Sequence, residues 1–352
     1  GHFNFIEPES KIISTGSLNL DSLIKIRSGS IVRLAGKGSE LGKTSECLVI
    51  ASNYMNVMPK SKTLFIKSEG RFGPEMRERS GHKIVSRPED WDYGTTFIFS
   101  ANIFEVVASL IEELLPKMHE AGEHLCIVLD SLDGLILKND YQKDLWSGDE
   151  SIKVAGVPLL TKLMFKKLAL KINHYDALFL ITCQYSAAIK LSQYDSTPNR
   201  QVESSGGSAI SHQNDVSLSY NVRNAGDYIY EFPNAKPDSV KNKCLGMYAT
   251  VDIKKSSTDV TGARVRIPIA RGRVGNAIWR EKEVVDMAIA FELLQGKGAW
   301  FNFSETLIAQ AAAEGIEIKQ QHQGINGVYK YIEENKEVFE WLYKKFSDLV
   351  AT

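Results

Sequence analysis

A glycine-rich stretch in the first part of the chain combines a lysine with hydroxyl side chains. It reads Gly-Lys-Gly-Ser-Glu-Leu-Gly-Lys-Thr-Ser over residues 36–45, between an apolar run and a helical pattern. Glycines let backbone N–H groups turn inward around phosphate oxygens, a lysine reaches the β- and γ-phosphates, and a threonine hydroxyl binds Mg²⁺. The stretch therefore predicts a nucleotide site with Lys43 as a catalytic cation and Thr44 as a magnesium ligand.

The phosphate-binding residues predicted from this stretch are its glycines and the residues around them. They are Gly36, Gly38, Ser39, Glu40, Leu41, Gly42, Lys43, Thr44 and Ser45. The usual P-loop has a glycine five residues before its Gly-Lys-Thr, and Lys37 stands at that position. The loop is therefore either one residue longer or built on a different turn. An ordinary glycine-rich turn is the alternative interpretation.

Three further polar residues stand at or just beyond the ends of apolar runs. Asp130 ends such a run, and a carboxylate beside a P-loop strand holds Mg²⁺ through water. Capping of the following segment is the alternative role for Asp130. Glu69 and Gln184 follow two other apolar runs, where a carboxylate can polarise attacking water and an amide can sense the γ-phosphate. Taken alone, each of these two is an ordinary surface residue.

The elements that must position these residues alternate between strands and helices. The apolar patterns predict strands at 30–35, 63–66, 125–129 and 177–182, and helices at 102–118 and 158–172. Continuous apolar strands separated by helices indicate an α/β fold, with a mostly parallel central sheet and helices on both faces. Beyond residue 215 the apolar residues alternate at 216–220, 248–254 and 263–270. That alternation predicts antiparallel strands added to the sheet edge.

Two polar segments and a helical C-terminal region complete the organisation. Residues 138–157 and 190–212 are polar and too long for simple connectors, so they are either functional or disordered. Helical patterns dominate from about residue 280, and the last helix is predicted near 327–350. We predict a core over residues 1–278 and a small α+β accessory domain over residues 279–352.

The composition restricts the class of protein. The 352 residues are 43% hydrophobic and 24% charged, which excludes a disordered, collagen-like or disulfide-rich chain. The net charge of −1 excludes a surface coated in positive charge, although local basic sites stay open. No apolar run approaches the length of a membrane span, and no signal-peptide pattern opens the chain. We expect a cytoplasmic protein without a membrane partner, whose four scattered cysteines are free thiols.

The order of these motifs resembles that of the RecA family of recombinases. The segments that carry the resemblance are Ile13–Asp21, Phe65–Glu69 with Pro74 beyond it, Leu129–Ser131, Ile181–Gln184, Gly206–Ala209 and Gly298–Phe301. The likeness covers nearly the whole chain in a single order. The chain looks like a divergent member of that family, such as a bacteriophage recombinase.

The resemblance implies a RecA-like P-loop ATPase core and an ATP-dependent strand-exchange protein of DNA recombination and repair. Such a protein binds ATP and Mg²⁺, forms a helical filament on single-stranded DNA, and pairs it with a homologous double-stranded DNA. By this likeness Glu69 activates water and Gln184 senses the γ-phosphate. We expect a weakened filament, because residues 1–12 are too short to supply the family's N-terminal docking helix.

The same resemblance assigns the two polar segments to DNA, with 138–157 as the first DNA-binding loop and 190–212 as the second. The candidate DNA-binding residues are Lys138, Lys143, Lys153, Lys190, Arg200, Gly206 and Gly207. A solvated surface charge is the alternative for each lysine. The family also has a lysine pair that reaches the ATP of a neighbouring subunit. Lys254 stands at the first place of that pair, and Lys255 is adjacent, but Ser256 occupies the second place.

Two other functions stay open at this point. The first is a RecA-fold ATPase with another role, such as a helicase motor, a recombination paralogue or a regulatory ATPase. The second is a DNA-binding scaffold that hydrolyses nothing, which the irregular loop at Lys37 favours. ATP turnover measured with and without single-stranded DNA separates all three.

Overall fold

The structure is a computed structural model that describes residues 9–37, 42–70, 72–142, 156–187, 201–203, 213–232, 235–237 and 240–351, without the side chains of 156–159, 186–187 and 201–203. The strands are β1 (Ile12–Ile13), β2 (Ile26–Arg27), β3 (Ile31–Gly36), β4 (Ser61–Lys67), β5 (Lys83–Val85), β6 (Thr95–Ser100), β7 (His124–Asp130), β8 (Leu178–Ala187), β9 (Gln201–Glu203), β10 (Val216–Tyr220), β11 (Tyr228–Tyr230), β12 (Cys244–Lys255), β13 (Arg264–Ala270), β14 (Leu294–Lys297), β15 (Trp300–Phe303) and β16 (Gln321–Gln323). The helices are α1 (Leu18–Asp21), α2 (Lys43–Val57), α3 (Pro74–Ser80), α4 (Phe104–Glu120), α5 (Lys138–Tyr141), α6 (Gly156–His174), α7 (Arg280–Ala290), α8 (Glu305–Ala313), α9 (Gly324–Glu334) and α10 (Lys336–Ala351).

One large sheet carries most of the strands. Its order is β11-β12-β10-β3-β8-β7-β4-β6-β5, with β13 on the other edge of β12 and β9 paired to the end of β8. The seven strands from β10 to β5 in this order run parallel, whereas β11 and β13 pair antiparallel with β12. The predicted α/β fold with a mostly parallel sheet and antiparallel edge strands is confirmed.

Strand β10 differs from its prediction. We expected it to be one of the antiparallel additions, but it runs parallel to β3 and is antiparallel only to β12. Its five residues are all buried, because β10 lies inside the sheet and not at its edge. Alternation of side chains indicates a strand but carries no information about the direction of its neighbour.

Burial on both faces explains the uninterrupted apolar strands. All six residues of β3 are buried. Val32 and Leu34 pack with α2 on one face of the sheet, and Ile31 and Ala35 pack with α4 and α6 on the other. A strand covered by helices on both faces buries side chains at every position, which favours apolar residues, and the buried Arg33 is the one charged residue of β3. Packing of helices on both faces fixes the positions of the parallel strands, and therefore of their carboxyl ends.

The C-terminal region has its own sheet and its own core. Strands β14, β15 and β16 form a three-stranded antiparallel sheet. Side chains of α7 to α10 form an apolar cluster separate from the two around the large sheet. The long helix predicted near 327–350 is two helices. Asn335 separates them: its N–H caps α9 at the carbonyl of Tyr331, and its own carbonyl accepts the N–H of Phe339 in α10. The division of the chain at 278/279 stays a prediction.

The four cysteines are all free thiols. Cys47, Cys126 and Cys183 are buried and Cys244 is partly buried. Burial raises the pKa of Cys47 and of Cys126, so these thiols stay protonated at neutral pH. Among the helices of the described ranges, none is long and apolar enough to cross a membrane.

Candidate active site

Four adjacent parallel strands bring the predicted site residues to one edge of the large sheet. Strands β3, β8, β7 and β4 are neighbours in this order. Gly36 at the end of β3 pairs in register with Gln184 of β8, and Asp130 at the end of β7 pairs with Lys67 of β4. Glu69 lies two residues beyond the end of β4. Ligands of open α/β sheets bind outside the carboxyl ends of the strands, which is where these residues meet.

Lys43 begins helix α2 at this edge. Gly42 before it has a φ of 99°, a left-handed conformation that glycine adopts without steric cost. The Nζ of Lys43 donates to the carbonyl oxygens of Gly36 at 3.3 Å and Cys183 at 3.0 Å. Burial lowers the pKa of Lys43, while neighbouring acidic groups oppose that shift. The ammonium is thus held across the ends of β3 and β8, where the helix N-terminus also favours an anion.

Asp130 connects the helix to two strands. Its Oδ2 accepts a hydrogen bond from Thr44 Oγ1 at 2.9 Å, and its Oδ1 accepts one from Thr182 Oγ1 at 2.6 Å. Thr182, on β8, was missed by the sequence analysis, although it lies two residues before Gln184.

The oxygens of Thr44 and Asp130 are hard ligands of the kind that Mg²⁺ prefers. Magnesium in nucleotide sites is held by one or two protein oxygens together with phosphates and water. Within the described part of the chain, no group of three or more His, Cys, Asp and Glu residues could form a dedicated metal cage. The Thr44–Asp130 pair fits a magnesium ion that arrives with a nucleotide.

Glu69 and Gln184 contact each other directly. Oε1 of Glu69 accepts hydrogen bonds from Gln184 Nε2 at 3.2 Å and from Ser131 Oγ. The backbone N–H of Ser131 donates in turn to Ser68 Oγ at 2.9 Å. The carboxylate that follows β4 is therefore oriented by groups from β8 and from the segment after β7. The sequence analysis did not single out Ser131 or Ser68 as contributors to this site.

Asp133 and Gly134, in the segment that follows β7, contact residues of this hydrogen-bond network. Oδ2 of Asp133 accepts the backbone N–H of Gln184 at 2.6 Å. A Cβ atom on Gly134 would lie 2.5 Å from Ser68 Oγ and 3.0 Å from Glu69 Cβ, so only glycine fits there without movement. Neither residue was predicted. Their one signal in the sequence is that they follow the strand that Asp130 ends.

Lys254 and Lys255 lie away from this site within the chain. In register, Lys255 of β12 pairs with Ser217 of β10, which pairs with Arg33 of β3. That position is three residues, or about 10 Å, before Gly36 and toward the opposite edge of the sheet. Lys254 is 53% exposed in its side chain and pairs with Asp252 at 3.6 Å. By this register the two lysines lie away from Gly36, where the predicted phosphate loop begins.

The structure describes only some of the other predicted residues. Ser45 lies in the first turn of α2 and is half-buried. Lys138 begins the short helix α5, is exposed, and donates its backbone N–H to Glu105 Oε2 at 2.9 Å. The remaining predicted positions lie outside the described residues: Gly38, Ser39, Glu40, Leu41, Lys143, Lys153, Lys190, Arg200, Gly206 and Gly207.

The predicted second DNA-binding loop starts from the strand that carries Gln184. Strand β8 continues past Gln184, and its last residues pair antiparallel with β9, Tyr185 opposite Glu203 and Ala187 opposite Gln201. Part of the segment 190–212 is thus a strand bonded to β8. The sequence analysis identified no strand in this segment.

Comparison with known proteins relates the whole chain to one group. No protein-family model matches it. The chain is 20% identical to the Protein RecA of Malacoplasma penetrans, over 97% of this chain and 88% of that relative. It is 23% identical to the Protein RecA of Rickettsia prowazekii, over 92% and 84% of the two chains. With the Protein RecA of Bordetella avium the identity is 21%, over 98% and 84%. The similarity therefore spans the large sheet and the C-terminal region together.

Proposed function

Because this chain is a divergent member of the RecA family, we propose that it is an ATP-dependent DNA recombinase. In this proposal the protein works in the cytoplasm, binds single-stranded DNA as a helical filament, and promotes homologous pairing and strand exchange with double-stranded DNA. One structural observation at the candidate active site supports the proposal. Lys43, the Thr44–Asp130 pair and the Glu69–Gln184 pair all meet at the carboxyl ends of four adjacent strands.

The proposed mechanism assigns each of these side chains a separate task. ATP with Mg²⁺ supplies the phosphoryl group that is transferred to water. Lys43 stabilises the negative charge that develops on that group, and Thr44 and Asp130 hold the metal. Glu69 accepts a proton from the attacking water. Ser131 and Gln184 orient the Glu69 carboxylate toward it.

The proposed DNA contacts and the filament follow from the placement of the remaining residues. In this proposal the segments 138–157, which includes Lys138, and 190–212 hold DNA, and along the chain they follow β7 and β8 respectively. Strand β9 connects the second of these segments to the strand of Gln184, which supports coupling between DNA and hydrolysis. Lys254 and Lys255 act on the ATP of a neighbouring subunit. Their distance from the chain's own phosphate loop supports that assignment.

A non-hydrolysing DNA-binding scaffold is the second candidate. The observation that favours it is Lys37, which stands where the usual P-loop has its first glycine. A RecA-fold ATPase with another role shares the same site and differs in its response to DNA or in the absence of strand exchange.

ATP hydrolysis by the full chain, measured with and without single-stranded DNA, tests the proposal. DNA-stimulated turnover supports a recombinase, and a strand-exchange assay with a homologous duplex then tests the full activity. Turnover that does not respond to DNA indicates an ATPase with another role. DNA binding without turnover indicates the scaffold.

A further inference from the structure

A cavity of about 730 Å³ lies between the β11–β12 pair and the helices of the C-terminal region, and we call it the β11 cavity. Cavities of about 300–1,000 Å³ with a mostly apolar and aromatic lining are the usual form of a binding site. Lys43, Glu69 and Asp130 are not among the residues that line this one. Its described lining includes five aromatic side chains: Tyr228 and Tyr230 of β11, Tyr248 of β12, Trp279 before α7, and Tyr329 of α9.

Hydrogen bonds hold the walls of the β11 cavity together. Nδ2 of Asn326, on α9, donates to the carbonyl oxygen of Glu231, just after β11, at 3.0 Å. Nζ of Lys282, on α7, donates to Tyr329 Oη at 2.5 Å and lies 3.9 Å from the centre of the Tyr329 ring. Helix α9 is therefore bonded both to the end of β11 and to α7, so the cavity between them is preformed.

Strand β11, which forms one wall of the cavity, has an edge available for pairing. One edge of β11 pairs with β12, with Tyr228 opposite Met247 and Ile229 opposite Gly246. The other edge pairs with no strand in the described ranges of the chain. The N–H and C=O groups of such an edge can pair with an extended segment of another chain.

Exposed apolar side chains accompany this strand. Phe232 is held beside the start of β12, because its N–H donates to Asn242 Oδ1 at 2.9 Å. Leu245, on β12, lines the cavity. Large apolar side chains that stay exposed together are typical of protein–protein contact sites. Between residues 221 and 245 the exposed ones are Val222 at 55%, Phe232 at 53%, Val240 at 79% and Leu245 at 39%.

The charges of the β11 cavity do not favour a nucleic acid. Its charged lining residues within the described ranges are two lysines and two glutamates: Lys282, Lys330, Glu231 and Glu333. Binding to a phosphate backbone relies on an excess of positive charge, whereas main-chain pairing and an apolar anchor do not. We propose that the cavity binds an extended segment of a partner protein. The segment adds a strand to β11 and places an aromatic or large aliphatic side chain in the cavity.

Binding of designed peptides to the full chain tests the proposal. The peptides are fluorescein-labelled octapeptides of alternating Thr and Val, with Trp, Phe, Leu or Ala at one central position. Fluorescence anisotropy should show saturable binding of the Trp, Phe and Leu peptides. The Ala peptide should bind about tenfold more weakly or worse, the loss typical of an interface anchor. Absence of binding by every peptide, or equal binding of the Trp and Ala peptides, would overturn the proposal.

A proline beside the Trp tests the main-chain pairing. It removes one backbone donor and should weaken binding by about two- to tenfold, the range for one hydrogen bond. An unchanged affinity at both neighbouring positions would mean that the peptide does not pair with β11.

Variants of the chain locate the site. Tyr230→Ala removes one ring of the cavity and should weaken the Trp peptide by about tenfold, and Leu245→Ala should act in the same direction. The control is Tyr93→Ala, an exposed tyrosine just before β6, near the other end of the large sheet. Circular dichroism confirms folding of all three variants. Wild-type affinity in both cavity variants, or an equal loss in the control, would overturn the assignment.

The same variants distinguish two other occupants. If single-stranded DNA displaced the Trp peptide and itself bound Tyr230→Ala more weakly than the wild type, the cavity would hold a base. If sedimentation velocity showed self-association that Tyr230→Ala abolished, the occupant would be a second copy of this chain. Either result would overturn the proposal of a partner protein and would leave the proposed ATP hydrolysis untouched.

Discussion

The side-chain amide of Gln184 donates to Oε1 of Glu69 across 3.2 Å. The family resemblance assigns Gln184 to sensing the γ-phosphate and Glu69 to activating water, and the two side chains are in direct contact. Ser131 Oγ donates to the same oxygen. Any rearrangement at the end of β8 must change the hydrogen bonding of the proposed general base.

Glu69→Gln should keep nucleotide binding and lose hydrolysis by about 10²–10⁴-fold. The amide preserves the shape of the side chain but cannot accept a proton from water. Turnover and nucleotide affinity are measured on the same preparation, with Glu78→Gln on the exposed face of α3 as the control. An equal loss of nucleotide affinity would mean that Glu69 is structural.

Gln184→Ala should reduce the stimulation of turnover by single-stranded DNA by about tenfold or more, within the usual range of coupling energies. The reason is that the variant cuts the bond from β8, which pairs with β9, to Glu69. Nucleotide affinity should change little. Turnover is followed as a function of DNA concentration. Full stimulation by DNA in the variant would separate Gln184 from the response to DNA.

Lys43→Ala should lower turnover by about 10²–10³-fold, because it removes a charge positioned for the transition state. Lys166→Ala, an exposed lysine of α6, is the control and should retain wild-type turnover. If Lys43→Ala kept more than about a tenth of wild-type activity, the start of α2 would not be the phosphate site.

Gly134→Ala should lower turnover by about 10²-fold while the fold and DNA binding persist, since a displacement of a catalytic group by about 1 Å has that effect. The added methyl would press on Ser68 and Glu69. Gly226→Ala, where a Cβ atom would meet open space, is the matched control. Circular dichroism confirms folding of both variants. Wild-type turnover in Gly134→Ala would show that the Glu69 position tolerates the shift.

The free energy of unfolding should fall as the pH rises, because Glu46 is buried with one carboxylate oxygen that has no hydrogen-bond partner. Burial, reinforced by Asp21 and Glu283, raises the pKa of Glu46 well above 4.5. The folded protein thus keeps a proton that the unfolded chain releases above that pH. The contribution of Glu46 to the free energy of unfolding is fully present below about pH 4.5. It is lost as the pH rises, by at most about 1.4 kcal/mol per pH unit.

Glu46→Gln tests this pH dependence, because the amide cannot ionise. Urea denaturation at pH 5 and pH 8 should show a smaller loss of stability between the two values in the variant than in the wild type. Glu78→Gln, an exposed substitution on α3, should behave like the wild type. Parallel pH profiles for Glu46→Gln and the wild type would mean that Glu46 ionises in the folded protein.

The sequence predicted the strands best where helices cover both faces of the sheet. Strand β3, buried at every position, differs by one residue at each end from its predicted range. Strand β10 was predicted with its observed bounds but with the wrong direction relative to β3, because direction depends on strand order and not on periodicity. The break at Asn335 was missed, because the apolar stripe continues from α9 into α10.

The candidate site was predicted only in part, and for a related reason. Lys43 and Asp130 belong to local patterns that can be recognised along the chain. Thr182, Asp133 and Gly134 contribute through contacts with residues that lie far away in sequence or on other strands. Those contacts exist because β8 and β4 flank β7 in the sheet, an order that no local pattern specifies.

The placement of Lys255 level with Arg33, toward the edge of the sheet opposite the phosphate loop, has a consequence for assembly. Under the proposed function, a subunit with its nucleotide on one side and its lysines on the other would join its neighbour head to tail, and such contacts grow into open-ended polymers with distinct ends. One terminal subunit then always lacks a neighbour to complete its site. Under the proposed function, ATP turnover per subunit should therefore increase with polymer length. Dilution should abolish turnover at protein concentrations where the subunit is still folded.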